Sequence, residues 1–366
     1  VQAGADRRYT YLSAYNLDGG RLVRLATDDM LRVDVTDNGR WAVGRRDVAY
    51  RGDVTRNGGR ADYVRIDPST GQERLIVSEV RRAMGTSPDG AWFLYVKDEA
   101  VRATNLASLE TTDLSATTGI DFLNAEFDQV AERPAYGVGG WTEDDEVVLY
   151  TRFDAYVVPL SGGPAEALTG EMGGREDIRF RLVRLDPEED WIDPDGALLS
   201  AYGEWTKKSG YFRARPGRDP SELIFGDEMI GQIRKTSDAD QVVFTRQTFE
   251  QFPDYWASDL RFRNPRQVTD ANPQIAEFAW GRRVLVDFEN VQPRNLALLA
   301  KHPFRVFVFV GAQQTKVPFE LADAMQALGQ SASYVKISGT GKNALDFHIA
   351  FYLGELVAQN PQAVSY

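Results

Sequence analysis

The chain has 366 residues, 43% of them hydrophobic and 26% charged, with no Cys and a formal net charge of −12. That composition excludes a disordered or collagen-like chain, a disulfide framework, a thiolate metal site and a cysteine nucleophile. At roughly 150 residues per domain, it leaves room for two domains or for one large β unit with an appendage.

The charge is unevenly placed. Val284 to Tyr366 holds four Lys and two Arg against three Asp and three Glu, so the whole net charge belongs to residues 1–283. All seven Trp lie in that first piece, and both His, His302 and His348, lie in the second. An acidic first piece argues against non-specific binding to a phosphate backbone there, because such binding rests on clustered cations. The opening VQAGADRRYT has no apolar core, so no signal peptide is expected in these residues. The longest apolar stretch, Phe304 to Ala312, is interrupted by Arg305. It is about half of what a bilayer span needs, so no membrane segment is expected.

In chain order, the first piece repeats. A polar turn followed by an apolar strand recurs at Asp37-Asn38-Gly39, Asp89-Gly90, Asp144-Asp145, Asp195-Gly196 and Asp238-Ala239-Asp240, at steps of 52, 55, 51 and 43 residues. A second strand pair follows most of these turns, at Tyr63 to Ile76, Ala155 to Thr169, Gly210 to Ile224 and Tyr255 to Thr269. Two hairpins per roughly 50 residues make one four-stranded propeller blade. Residues 11–26 supply the outer half of one more. The expected fold is therefore mainly β, an incomplete propeller of about five to six four-stranded blades over 1–283, with Trp41 and Trp92 as blade-core residues. Glu143 to Glu146 and Glu188 to Asp190 are read as solvated propeller turns in preference to calcium loops.

From Arg283 the texture changes. Val284-Leu285-Val286, Arg305 to Val310 and Ser333 to Ile337 read as parallel strands. Pro318 opens a helix carrying Leu321, Met325 and Leu328 and closed by Gly329, while Leu345, Ile349, Leu353 and Leu356 stripe a second helix. This is a small partial α/β parallel-sheet domain over 284–366, and its site is expected at the carboxyl ends of the strands. Asp287 ends the first strand and Asp346 opens the last helix. Carboxylates converging on one point repel unless a hard divalent cation lies between them, so the pair suggests Mg²⁺ or Mn²⁺ as well as two ordinary helix-cap and strand-end groups. Gly339-Thr340-Gly341-Lys342 is not a phosphate loop, because Asn343 stands where Ser or Thr must bind the metal. His302 is expected in a surface loop and His348 away from Lys342 on the helix.

TSPDGAWFLYVKD (86–98), YGVGGWTEDDEVVLY (136–150), AYGEWTKKSGYF (201–212), FTRQTFEQFPDYWASDL (244–260) and RQVTDANPQIAEFAWG (266–281) resemble the propeller of prolyl oligopeptidase family serine peptidases. The resemblance implies a lid over a hydrolase domain that carries the catalytic serine, aspartate and histidine. Residues 1–283 contain no His and no Gly-x-Ser-x-Gly elbow, so this piece is expected to gate or bind peptides without cleaving them.

VLVDFENVQ (284–292), FVGAQQTKVPFEL (309–321) and SGTGKNALDFHIAFYLGEL (338–356) resemble a bacterial PIN-like nuclease domain. That resemblance implies Asp287 and Asp346 as metal-binding catalytic acids, Asn290, Lys342 and Asn343 near the phosphate, Mg²⁺ or Mn²⁺ as cofactor and RNA as partner. It also implies a further strand with the remaining acids, beginning near Asn360. Half of the acid cluster is accordingly expected to be missing and little activity to remain, as in a composite of two fragments joined near Val286. Two alternatives stand beside this: a propeller that acts as a peptide- or protein-binding scaffold, and a ribonuclease completed by oligomerisation.

Overall fold

The central strands of the repeats carry unbroken apolar runs, of which Trp92-Phe93-Leu94-Tyr95-Val96 is the fullest. A strand of that kind needs cover on both faces. The computed structural model describes residues 10–53, 59–237, 239–248, 250–277, 282–287, 296, 304–311, 314–338 and 344–359, and it supplies that cover. The chain divides into two compact units, Val1–Thr248 with Pro253–Ala271 and Phe249–Phe252 with Asn272–Tyr366.

The first unit opens on a hairpin of β1 (Ser13–Asn16) and β2 (Arg21–Arg24). Five four-stranded antiparallel meanders follow among the described residues. The first blade holds β3 (Arg32–Val35), β4 (Ala42–Arg46), β5 (Ala61–Ile66) and β6 (Glu73–Val80). The second holds β7 (Arg82–Thr86), β8 (Trp92–Lys97), β9 (Ala100–Asn105) and β10 (Thr111–Asp113), followed by the short helix α1 (Leu114–Thr118). The third holds β11 (Val138–Trp141), β12 (Glu146–Tyr150), β13 (Ala155–Pro159) and β14 (Glu166–Ala167), followed by α2 (Met172–Glu176). The fourth holds β15 (Ile178–Leu182), β16 (Leu198–Gly203), β17 (Ser209–Arg213) and β18 (Ser221–Gly226). The fifth holds β19 (Met229–Lys235), β20 (Gln241–Gln247), β21 (Asp254–Asp259) and β22 (Arg266–Gln267). Five blades and a leading hairpin are what the repeat arithmetic predicts.

Successive blades stack face to face, and strand periodicity decides which residue goes to which interface. In β8, Phe93 and Tyr95 pack back on Val43 and Tyr63 of the first blade, while Trp92, Leu94 and Val96 pack forward on Trp141, Val147 and Leu149 of the third. In β12, Val148 and Tyr150 continue the pattern towards Ile178 and Phe180 of the fourth. Leu198 and Tyr211 then meet Ile230, Val242 and Phe244 of the fifth. At the other end, Val23 and Leu25 of the hairpin pack on Ala42, Val64 and Ile66.

Polar groups tie the same interfaces. Trp92 lies in the core as expected, and its Nε1 donates to Asp145 Oδ1 in the turn of the next blade at 2.8 Å. Trp41 is only half-buried, with the Arg65 guanidinium 4.1 Å over its ring. Arg65 also donates to the carbonyls of Leu106 and Ala107 in the second blade, and Arg213 repeats the device from the fourth blade to Leu260 O of the fifth at 2.8 Å. Asp154, 4% exposed, accepts from Thr169 Oγ1 and from the backbone N–H groups of Gly173 and Gly174, which anchors α2. Asp254 and Thr269 make the equivalent bond in the fifth blade at 2.7 Å.

The fourth blade departs from the expected pattern. Asp195-Gly196 is not a tight inner turn like Asp89-Gly90. β15 ends at Leu182 and β16 begins at Leu198, so residues 183–197 form an inserted loop that Asp195 merely ends.

The second unit is a parallel sheet in the order β23 (Arg282–Asp287), β24 (Phe304–Val310) and β25 (Ala332–Lys336). Helix α3 (Phe319–Leu328) buries Leu321, Ala324, Met325 and Leu328 against Val306, Val308 and Val310. Pro318 is its N-cap, so the helix begins one residue later than expected. Helix α4 (Ala344–Gln359) packs Ile349 and Tyr352 on Phe307 and Phe309, the side chains of opposite parity on the same strand. The two helices therefore cover opposite faces of the sheet.

Two outcomes follow. Phe180 is fully buried between the third and fourth blades, edge-to-face on Phe212 at 5.3 Å. Phe180→Ala should cost about 3–5 kcal/mol in denaturant unfolding. In the β5–β6 turn, the Ser69 hydroxyl first, then the Ser69 and Thr70 N–H groups, hold the Asp67 carboxyl below its ordinary value of 3.8. A carboxylate depressed in the folded state stabilises above the unfolded value and stops doing so as pH falls through the folded one. Acid titration of stability should therefore steepen below about pH 4, and less so in Asp67→Asn.

Candidate functional site

In a parallel sheet, every strand delivers its carboxyl end to one edge, and crossover loops gather there. Asp287 is the last residue of β23, in register with Phe309 of β24, which is in register with Val335 of β25. β25 ends one step further at Lys336, which is exposed. The chain then enters α4, whose first turn carries the exposed Asp346. Asp287 thus sits at the carboxyl end of its strand, and Asp346 in the first turn of the helix that follows the last strand. A carboxylate in a first helical turn also complements the positive end of the helix dipole, so Asp346 is favourable there with or without a cation. His348, two residues on in the same helix, has its Nε2 3.4 Å from Ser338 Oγ. Asn290, Lys342 and Asn343 lie outside the described residues.

Two lysines at this edge escaped the sequence reading. Lys336 ends a strand, and Lys316 lies exposed in the segment that leaves β24 for α3. The signal was available, since a cation just past a parallel strand is placed where phosphates bind. Hard oxygen donors at the edge suit Mg²⁺ or Mn²⁺, which take a few carboxylates and keep several waters. Among the described residues, no group of three or more His, Cys, Asp or Glu is arranged to hold a metal.

The first unit has a site that the sequence analysis divided into two unrelated turns. The inserted loop 183–197 folds back on the inner turn of the third blade. Ile192 N donates to Trp141 O at 2.8 Å, and Trp141 and Trp191 form an isolated parallel bridge. Gly140 makes this approach feasible, because a Cβ there would lie 3.1 Å from Ile192 Cγ2. Between loop and turn is a cavity of about 590 Å³ lined by Thr142, Glu143, Asp144, Glu189, Asp190, Trp191, Ile192, Asp193 and Pro194. Five carboxylates line it and no cation does. Glu143 and Asp144 are 45 or more positions from Glu189 and Asp190 in sequence, so only the insertion could reveal their meeting.

Among the described residues, no helix is long and apolar enough to cross a membrane. No curated protein matches the chain. Among solved structures, the chain is similar to dipeptidyl peptidase 4 of Porphyromonas gingivalis, with 10% identity over 73% of this chain and 44% of that one and a TM-score of 0.41. It thus spans less than half the length of that peptidase. It is also similar to acylaminoacyl peptidase of Pyrococcus horikoshii, with 13% identity over 66% of this chain and 45% of that one and a TM-score of 0.25. A putative TolB of Agrobacterium tumefaciens is 11% identical over 71% of this chain and 73% of its own length, with a TM-score of 0.26. The second unit matches at the level of a family: residues 281–366 fit the family model of the PIN domain.

Proposed function

We propose that the chain joins a propeller that binds or gates peptides without hydrolysing them to a PIN-type unit that is a metal-dependent ribonuclease of little activity. What supports the second half is that Asp287 ends β23 and Asp346 lies in the first turn of the helix that follows β25. Asp287 and Asp346 would hold a Mg²⁺ or Mn²⁺ ion, which when bound supplies an activated water and charge neutralisation at a phosphodiester. Two carboxylates hold such an ion weakly, since retention grows with the number of charged ligands. Lys316 and Lys336 offer cations to the backbone of an RNA strand, a contact weakened by salt.

The first unit lacks an imidazole anywhere in residues 1–283, so a Ser-His-Asp triad cannot be assembled from it alone. What it does offer is the acidic cavity beside Trp191. Its carboxylates are spread along the walls, an arrangement that suits an extended cationic segment better than a point charge. A basic peptide is therefore the ligand that this surface favours.

Single-stranded RNA incubated with the purified chain should be cleaved slowly with Mn²⁺ and not with EDTA, and Asp287→Asn and Asp346→Asn should each abolish the cleavage. Cleavage that survives both substitutions removes the nuclease reading. For the propeller, a Lys-rich peptide should change Trp fluorescence at low salt. Glu189→Gln with Asp190→Asn should weaken that binding, and a neutral peptide of equal length should leave the signal unchanged. Peptide hydrolysis by the pure chain would overturn the account of the first unit.

A further inference from the structure

Between α1 and β11 the chain runs through segment 120–136, a strap with firm feet and a loose tip. The feet are tied down. Phe122 and Leu123 are buried in the core between the second and third blades, Asn124 N donates to Pro134 O at 2.7 Å, and Tyr136 N donates to Phe122 O at 2.9 Å. From 125 to 132 no residue is buried, and among the described residues no backbone N–H of this tip bonds outside the strap. Three side-chain contacts hold it instead. Glu126 pairs with Arg152 of the β12–β13 turn at 2.7 Å, the Arg82 guanidinium of β7 lies 5.9 Å over the Phe127 ring, and Arg133 pairs with Glu99 of the β8–β9 turn at 2.6 Å. Solvent-exposed ion pairs are weak, so the tip lifts easily while the feet stay in place.

Glu99 shows that the closed position is nonetheless built. Only Asp98 and Glu99 join β8 to β9, and both have positive φ, 51° and 56°. Asn-Gly is the pair that suits such a turn, so a glutamate there needs a reason. Its carboxylate accepts from the backbone N–H of Arg133 at 3.2 Å as well as from Nε at 2.6 Å, which makes it the latch of the strap. Closure is also opposed. Burial first, and then the neighbouring Glu99, push the Glu132 carboxyl above its ordinary value, so its charge is disfavoured where the closed strap holds it.

What the tip covers is a pair of cations. Adjacent residues, Glu126 and Phe127, sit on Arg152 and Arg82, so the two guanidinium groups lie within reach of one dipeptide. Arg82 is half-buried, and its Nε is buried with no hydrogen-bond partner among the described residues. A guanidinium in that state lacks the carboxylate that would satisfy it, and Phe127 covers it without supplying an acceptor. We propose that Arg82 and Arg152 form a docking site for an acidic-aromatic peptide of a partner protein, and that the strap is its built-in competitor, holding the site with Glu126 and Phe127 until the partner displaces it. Charge complementarity identifies the occupant, and the Glu-Phe pair of the strap is the ligand chemistry already seated there. This site takes carboxylates, whereas the cavity beside Trp191 favours cations, so the one does not rest on the other.

Fluorescence anisotropy of the whole chain with a labelled peptide of residues 124–132, at low salt, tests the proposal. Glu126→Gln with Phe127→Ala empties the site without altering it. Because a competitor held in the chain lowers apparent affinity by the fraction of time the site is open, this variant should bind the peptide about tenfold or more tightly than the parent. Glu99→Gln, which releases Arg133, should move the affinity in the same direction by a separate route. Arg82→Gln with Arg152→Gln, added to the emptied variant, should remove the binding, and so should Gln and Ala in place of the Glu and Phe of the peptide. Circular dichroism checks that each variant is folded. An emptied or unlatched variant that is folded and binds no better than the parent overturns the proposal. So does binding that survives the loss of both arginines, or that the altered peptide shares.

Discussion

Burial of the central strands on both faces governs the first unit. β8 has no solvent side: Phe93 and Tyr95 belong to one interface, and Trp92, Leu94 and Val96 to the next. No blade is therefore stable by itself, because each owes half of its core to a neighbour, as in other repeat architectures. The cross-blade hydrogen bonds of Arg65, Arg213 and Trp92 follow from the same constraint. Carbonyls and indole groups brought to a dry interface must find partners there, and the partners come from the adjoining blade.

The cavity of the first unit grows out of a departure from that regularity. Inner turns elsewhere are tight, with only four to six residues between the paired strands. In the fourth blade, loop 183–197 replaces the turn and lies over the neighbouring one, pinned by Ile192 and Trp191 on Trp141. Repeating scaffolds commonly place binding function on such loops, since the blades hold them in position while the loop sequence varies freely.

The second unit follows a different rule. Phe307 and Phe309 turn to one face of β24, and Val306, Val308 and Val310 to the other, so one strand organises two helix interfaces. The parallel direction then gathers the strand ends, Asp287 and Lys336 among them, at one edge. A charge pattern that looks balanced along the sequence becomes a locally polar edge on an otherwise apolar sheet.

Much of this was legible in the residues. Period-two apolar runs between Asp-Gly turns determine blades, because a strand buried on both sides has few other arrangements, and the β, α, β, α texture past Arg283 determines a parallel sheet with its site at the carboxyl edge. Asp287 and Asp346 are readable for the same reason, since their positions depend on strand and helix ends that local sequence sets. Tertiary structure alone decided the rest. The repeat of Asp195-Gly196 concealed an insertion, because a turn signal marks where a chain bends and not how far it has travelled from the preceding strand. The meeting of Glu143 and Asp144 with Glu189 and Asp190, and of Glu126 and Phe127 with Arg152 and Arg82, depends on which surfaces neighbours leave uncovered, and that is a property of packing in three dimensions that no local periodicity encodes.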